Sequence, residues 1–237
     1  MTSAAPARNF RSYLHVADTL RRAIPTLKVD DNGRLPSERE LAALLKISRP
    51  SLREGLIALE LRGEIEIRVG SGIYLRNIEA APAQAAATPL GDSPHDVNQM
   101  RGFLEGGVAA YAALHITPGQ LRQLRKSLQA MQRALRQPGK QRTQSITDAD
   151  RQFHITLAET TGNALLLQTL GDLFDQRYSP VAQTMHKHFD DFDAWRVAVQ
   201  EHQDIYEAVA ARDPLQAMAA MQRHLMRAHG RLMTMIG

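Results

Sequence analysis

Residues 35–75 read LPSERELAALLKISRPSLREGLIALELRGEIEIRVGSGIYL, and the changes of period inside this stretch decide the fold of the N-terminal third. Ser37 is an N-cap and Glu40, three residues on, completes a capping box, because each side chain can satisfy a backbone N–H that the first helical turn leaves over. The helix so opened runs through Leu41, Leu44 and Leu45 and breaks near Lys46-Ile47. Ser48 caps the next helix, with Arg49 and Pro50 in a first turn that tolerates proline. Leu52, Leu56, Leu59 and Leu61 supply its apolar side, with Ile57 and Ala58 between them. After Gly63 the period falls to two: Ile65, Ile67 and Val69 alternate with Glu66 and Arg68, Gly70-Ser71-Gly72 turns, and Ile73-Tyr74-Leu75 returns as a second strand. Upstream, Tyr13, Val16, Ala17, Leu20 and Ile24 recur at helical spacing. Helix, helix-turn-helix and hairpin in that order predict a winged helix-turn-helix over residues 10–76, a fold that binds double-stranded DNA.

The charge is distributed to match. Residues 1–76 hold 13 Lys and Arg against 9 Asp and Glu, whereas residues 77–237 hold 16 of each, so the whole net charge of +4 sits in the N-terminal part. A phosphate backbone is a fitting partner for it. With 43% apolar and 23% charged residues the chain reads as a soluble globular protein, and its few aromatics among many Ala, Leu, Met, Gln and Arg tilt it toward helix. Without cysteine it has neither disulfides nor thiolate metal sites. No apolar run approaches the ~18 residues of a membrane span, and Met1 to Phe10 lacks the apolar stretch of a signal peptide. Cytoplasm is the expected location, with no membrane partner.

Residues 79–94, EAAPAQAAATPLGDSP, show no amphipathic period, so residues 77–94 read as a linker. Residues 95–235 follow as an all-helical domain. Helix signals recur after Pro94, at Thr117-Pro118, over about 144–161 and 163–178, over about 190–211, and from Asp213-Pro214 to about Leu232, with Pro180 bending or restarting the chain. The fold class is therefore mainly α: an N-terminal winged helix-turn-helix plus a C-terminal antiparallel bundle of about six helices. Inside the bundle, Asp150 and His154 lie four residues apart on one helix face, His202 falls on a later helix and His224 on the last. Spacing leaves two readings open, surface residues or four oxygen and nitrogen ligands converging from three helices. The second suits zinc best, with nickel, manganese or iron as alternatives.

The stretch 35–75 resembles the DNA-binding domain of the GntR family of bacterial repressors. The resemblance implies DNA contacts at Arg39, Ser48, Arg49, Arg53 and the wing tip around Gly70. Arg49 and Arg53, at i and i+4, share a face of the recognition helix, where arginine can bind guanine O6 and N7. Residues 28–34, KVDDNGR, depart from the family by lacking its Pro-Gly turn.

Three further stretches, DADRQFHITLAETTGNALL (148–166), EHQDIYEAV (201–209) and AMQRHL (220–225), resemble the FadR-type C-terminal ligand-binding domain, called FCD. That resemblance implies a divalent metal on Asp150, His154, His202 and His224, with coordination positions left open for an effector's oxygens. Arg101, in MRGFLEGG, matches the arginine that FCD proteins aim into the same cavity, where its planar fork suits an effector's carboxylate; the alternative is an ion pair with Glu105 one turn away. His186-Lys187-His188 and its surroundings resemble the repressors of hexuronate utilisation, which makes a histidine there either an effector contact or an exposed residue. Asn163 reads as a helix cap, and Trp195 as core or interface rather than a platform for sugar. The expected protein is a homodimeric repressor, not an enzyme. It reads palindromic operator DNA and senses a small carboxylate, a sugar acid such as a hexuronate. The rival readings are a metal-dependent enzyme fused to a DNA-binding module and a regulator for which the metal itself is the signal.

Overall fold

The computed structural model describes residues 13–76, 89–189 and 192–233. The chain divides between Ser93 and Pro94 into two compact units. Residues 77–88, most of the expected linker, lie outside the described residues, as do the chain ends and Asp190-Asp191.

The first unit is α1 (Tyr13–Ala23), a 3₁₀ turn (Ile24–Thr26), α2 (Glu38–Leu45), α3 (Arg49–Leu61), β1 (Ile65–Arg68) and β2 (Gly72–Leu75). Both expected caps form. The Glu40 N–H donates to Ser37 Oγ while the Ser37 N–H donates to the Glu40 carboxylate, and Ser48 Oγ accepts from the Ser51 N–H. Lys46 ends α2 in the left-handed region, at φ 53°, which lets α3 start three residues later. Val16, Ala17 and Leu20 of α1 are buried, as are Leu52, Leu56 and Ile57 of α3, and α1 packs on α3. Gly55 sets how closely they approach, since a Cβ there would stand 2.7 Å from Val16 Cγ1. β1 and β2 pair antiparallel with Ile67 opposite Ile73, both buried, and Gly70 at φ +73° makes the turn. Where the family's Pro-Gly turn is missing, Asp30 Oδ1 accepts from the Asn32 and Arg34 N–H groups and fixes the loop, and Leu35 and Gly33 hydrogen-bond to Ile73 and Leu75. An Asx turn does the work of proline.

Residues 89–93, expected as linker, lie on this unit. Leu90 is buried, the Tyr13 hydroxyl donates to the Gly91 carbonyl at 2.6 Å, and Ser93 Oγ donates to the buried Glu54 of α3 at 2.7 Å. Burial and the nearby carboxylates of Glu54 and Asp92 push the Tyr13 phenol up to about 12.

The second unit contains α4 (Pro94–His115), α5 (Pro118–Ala134), α6 (Gly139–Glu159), α7 (Ala164–Asp175), a 3₁₀ turn (Gln176–Tyr178), α8 (Pro180–Phe189), α9 (Phe192–Ala210) and α10 (Pro214–Met233). Pro180 restarts the chain rather than bending it. Ser179 is extended and its carbonyl accepts the first helical bond, so proline's fixed φ falls where it opens a helix, and α8 is additional to the six expected. The core joins Ala109 and Ala112 of α4, Leu124 and Leu128 of α5, Phe153 and Leu157 of α6, Ile205 of α9 and Met221 of α10. Each large apolar side chain buried there contributes about 1.5–3 kcal/mol. Among the described residues no helix is long and apolar enough to cross a membrane.

Candidate nucleic-acid interface and metal centre

Of the residues expected at DNA, Arg39, Ser48, Arg49 and Gly70 are exposed. Arg39 lies in the first turn of α2, Ser48 and Arg49 at the start of α3, where the positive end of the helix dipole favours phosphate, and Gly70 at the wing tip. Arg53 is placed differently: it is 0% exposed and its Nε donates to Glu38 Oε2 at 2.8 Å. The other oxygen of Glu38 accepts from Arg49 Nε at 3.1 Å, with the Arg49 side chain still 52% exposed. One buried carboxylate on α2 thus holds both arginines of α3, one inside the unit and one at its surface. Glu38 was not among the expected residues; its signal in the sequence is only its place in Ser37-Glu38-Arg39-Glu40.

In the helical unit Asp150, His154, His202 and His224 are all buried, and one ligand atom from each falls within 4.8 Å of every other. α6 supplies the first two, α9 and α10 the others. His154 Nε2 lies 3.1 Å from His202 Nε2, and Asp150 Oδ1 lies 2.9 Å from His202 Nε2 and 3.7 Å from His154 Nε2. Ligands at 2.0–2.1 Å around a tetrahedral cation would stand about 3.3 Å apart, a spacing these three separations straddle.

Each imidazole is turned by a bond from its other nitrogen. His154 Nδ1–H donates to Glu105 of α4, His202 Nδ1–H to the Ala198 carbonyl at 2.7 Å, and His224 Nδ1–H to Glu201 at 2.9 Å. All three therefore commit Nδ1, and the Nε2 atoms of His154 and His202 lie beside Asp150. This outer layer selects the tautomer a metal needs. Arg231 braces Glu201 with two bonds of 2.9 Å, and Arg177, from the turn after α7, donates to Asp150 Oδ2 at 2.6 Å. The donor set fits a divalent cation.

Burial opposes charge on Asp150, but Arg177 and the facing imidazoles hold its carboxyl well below the usual range. Burial also opposes charge on Glu105, and Arg101 and His154 bring it down to about 2. For His154 burial works against protonation, yet Glu105 and Asp150 outweigh it and the pKa rises. His224 goes down to about 3, through burial first and then the neighbouring His202.

Arg101 forms the ion pair that spacing suggested, Nε to Glu105 Oε1 at 2.6 Å, with its guanidinium carbon 3.9 Å from the Phe174 ring centre. The pair does not exhaust it. Nη2 is buried and has no hydrogen-bond acceptor among the described residues. Glu105 accepts from both Arg101 and His154, so this open donor is one carboxylate away from the cluster. His186 lies on α8, Asn163 caps α7 through the Leu166 N–H, and the partly buried Trp195 packs against the core. Sequence reasoning did not find Arg177 and Glu201. Arg177 falls at the very end of the helix expected over about 163–178, and Glu201 is adjacent to His202, with nothing in the spacing of either to mark it.

Comparison with known proteins agrees with both units. Residues 12–75 match the model for bacterial regulatory proteins of the gntR family, and residues 96–227 match the FCD domain. The chain is 32% identical over 241 residues to the Uxu operon transcriptional regulator of Escherichia coli K12, spanning 98% of this chain and 90% of that protein. It is 31% identical over 221 residues to the Exu regulon transcriptional regulator of the same strain, covering 91% and 82%. To the HTH-type transcriptional repressor NanR of Klebsiella aerogenes it is 32% identical over 221 residues, covering 89% and 81%. These relatives are transcriptional regulators, not enzymes. The chain accordingly belongs to the GntR family of DNA-binding transcriptional regulators, in its FadR-like branch with a C-terminal FCD domain.

Proposed function

We propose that the protein is a homodimeric repressor whose operator binding is relieved by a small carboxylate, a sugar acid such as a hexuronate, bound at a divalent cation in the helical unit. The carrying observation is that three buried imidazoles spend Nδ1 on outward acceptors around Asp150, while Arg101 keeps a buried donor open one carboxylate away. Zinc suits this donor set best. Asp150, His154, His202 and His224 would hold the cation, which would offer positive charge to the effector's oxygens. Arg101 would take the carboxylate. The names of the Uxu and Exu regulators support a sugar acid, and that of NanR supports repression.

Dimerisation would set two recognition helices on a palindrome. It is supported by α4, where Met100, Phe103, Tyr111 and Leu114 form one apolar stripe, 44%, 74%, 41% and 57% exposed.

The test is a thermal-shift titration of zinc-loaded protein with hexuronates, aldarates and lactate, repeated on His202→Ala and Arg101→Ala. An effector raises the melting temperature with dose, and both variants should lose the response. Operator binding that follows metal alone, with no acid active, would replace this reading with metal sensing.

A further inference from the structure

α6, the turn Gln176–Tyr178, α8 and α9 line an open pocket of about 610 Å³ that shares Arg177 with the candidate metal centre. Small-molecule sites run at about 300–1,000 Å³. Two permanent cations line it, Arg177 and Lys187, and among the described residues none that lines it is acidic. The lining therefore calls for an anion. Thr147 and Gln183 represent its other polar groups, hydroxyls and amides that both donate and accept, which suit a ligand carrying several hydroxyls. Trp195 also lines the cavity, and the indole packs on the core as well. A flat apolar face amid hydroxyls and amides matches the C–H face of a sugar ring. His186, singled out in the sequence, belongs to the same wall.

We propose that this cavity binds a polyhydroxylated carboxylate, with the carboxylate at Arg177 and Lys187 and the ring face on Trp195. It is a second acid-binding site in the helical unit, next to the one at the metal. Arg177 is common to both, because its Nη1 grips Asp150 Oδ2 at 2.6 Å while the side chain lines the cavity. An anion that draws Arg177 toward itself relieves Asp150 of its partner and leaves that carboxylate a stronger metal donor. The coupling is reciprocal, so metal and sugar acid tighten each other's binding. The ligand class rests on the sensor reading above, but the site does not need the cation to bind.

Trp195 is the only tryptophan, so its emission reports the cavity. The experiment titrates D-galacturonate, D-glucuronate and lactate into zinc-loaded and EDTA-treated protein, following fluorescence and melting temperature together. The expected result is a saturable change with the sugar acids in both forms, tighter with zinc, and none with lactate. Lys187 is exposed, so Lys187→Met should keep the fold while weakening the fluorescence response roughly tenfold through loss of one charged hydrogen bond. If sugar acids raise the melting temperature of zinc-loaded protein but leave Trp195 unchanged, or Lys187→Met binds as wild type, the cavity proposal is wrong and the metal-centred reading stands. If neither signal moves with either sugar acid, both fall.

Discussion

Arg49 and Arg53 stand one turn apart and share Glu38, yet they should respond oppositely to truncation. Arg53→Ala leaves a buried carboxylate with part of its compensation gone, and breaking a buried pair costs about 3–5 kcal/mol. Arg49 is half exposed, and its loss should change stability by less than about 1 kcal/mol. Chemical denaturation and operator titration on the two variants should show Arg53→Ala failing by unfolding, and Arg49→Ala folding normally but losing the operator. An Arg53→Ala protein of wild-type stability contradicts this account. The spacing of the two arginines was legible in the sequence. Which of them turns inward was not, because Glu38 of another helix decides it. The candidate metal cluster divides in the same way: residue type and helix phase singled out the four residues, the family resemblance made them candidate ligands, and Arg177, Glu201 and the bond from Glu105 are tertiary facts.

The same cluster sets two pH effects. Folding leaves His224 near 3, so below about 6.5 the unfolded chain takes up a proton that the folded chain refuses. EDTA-treated protein should therefore lose stability as the pH falls from about 6.5 toward 3, and His224→Gln should flatten that slope. His154 does not mask it. Its folded pKa is raised, so its contribution is complete below about 6.5 and is lost only as the pH rises through the folded value. The raised His154 pKa makes protons compete with a cation for this imidazole, so zinc uptake should release protons and weaken as the pH falls. Calorimetry in buffers of different ionisation enthalpy reads this directly; zero release would mean that His154 is neutral before the metal arrives.

At the scale of elements, local signals were the ones that could be read. The capping box at Ser37, the Ser48 cap and the alternating wing depend on neighbours within a few residues, and they occur where the sequence placed them. α8 was not read as a separate helix because a single proline after a short turn is compatible with a kink as well as a start. The α1–α3 crossing was equally hidden, since nothing in the α3 periodicity says that Gly55 faces Val16. Gly55→Ala should destabilise the winged unit by about 1–3 kcal/mol through overpacking, despite alanine's better helix propensity. Thermal unfolding measures it, and a stabilised variant would show that α1 can shift aside.

For the whole molecule, the apolar stripe on α4 gives dimerisation a specific test. Phe103→Glu puts a charge on its most exposed member and should raise the dimer dissociation constant by at least tenfold, read by sedimentation, with the helical content unchanged. An unaltered dimer would place the contact elsewhere. A separate consequence follows from the bond between Ser93 and Glu54. Ser93, the last residue before α4, is fastened through its side chain to the recognition helix. Arg101 lies eight residues further on, about 12 Å of helix at 1.5 Å per residue. Should effector binding displace the start of α4, the Ser93 hydroxyl is the point at which the winged unit would register it. Ser93→Ala should accordingly leave operator affinity and effector affinity each near wild type while the effector's influence on the operator fades. Such a protein would hear its ligand and hold its DNA, but no longer connect the two.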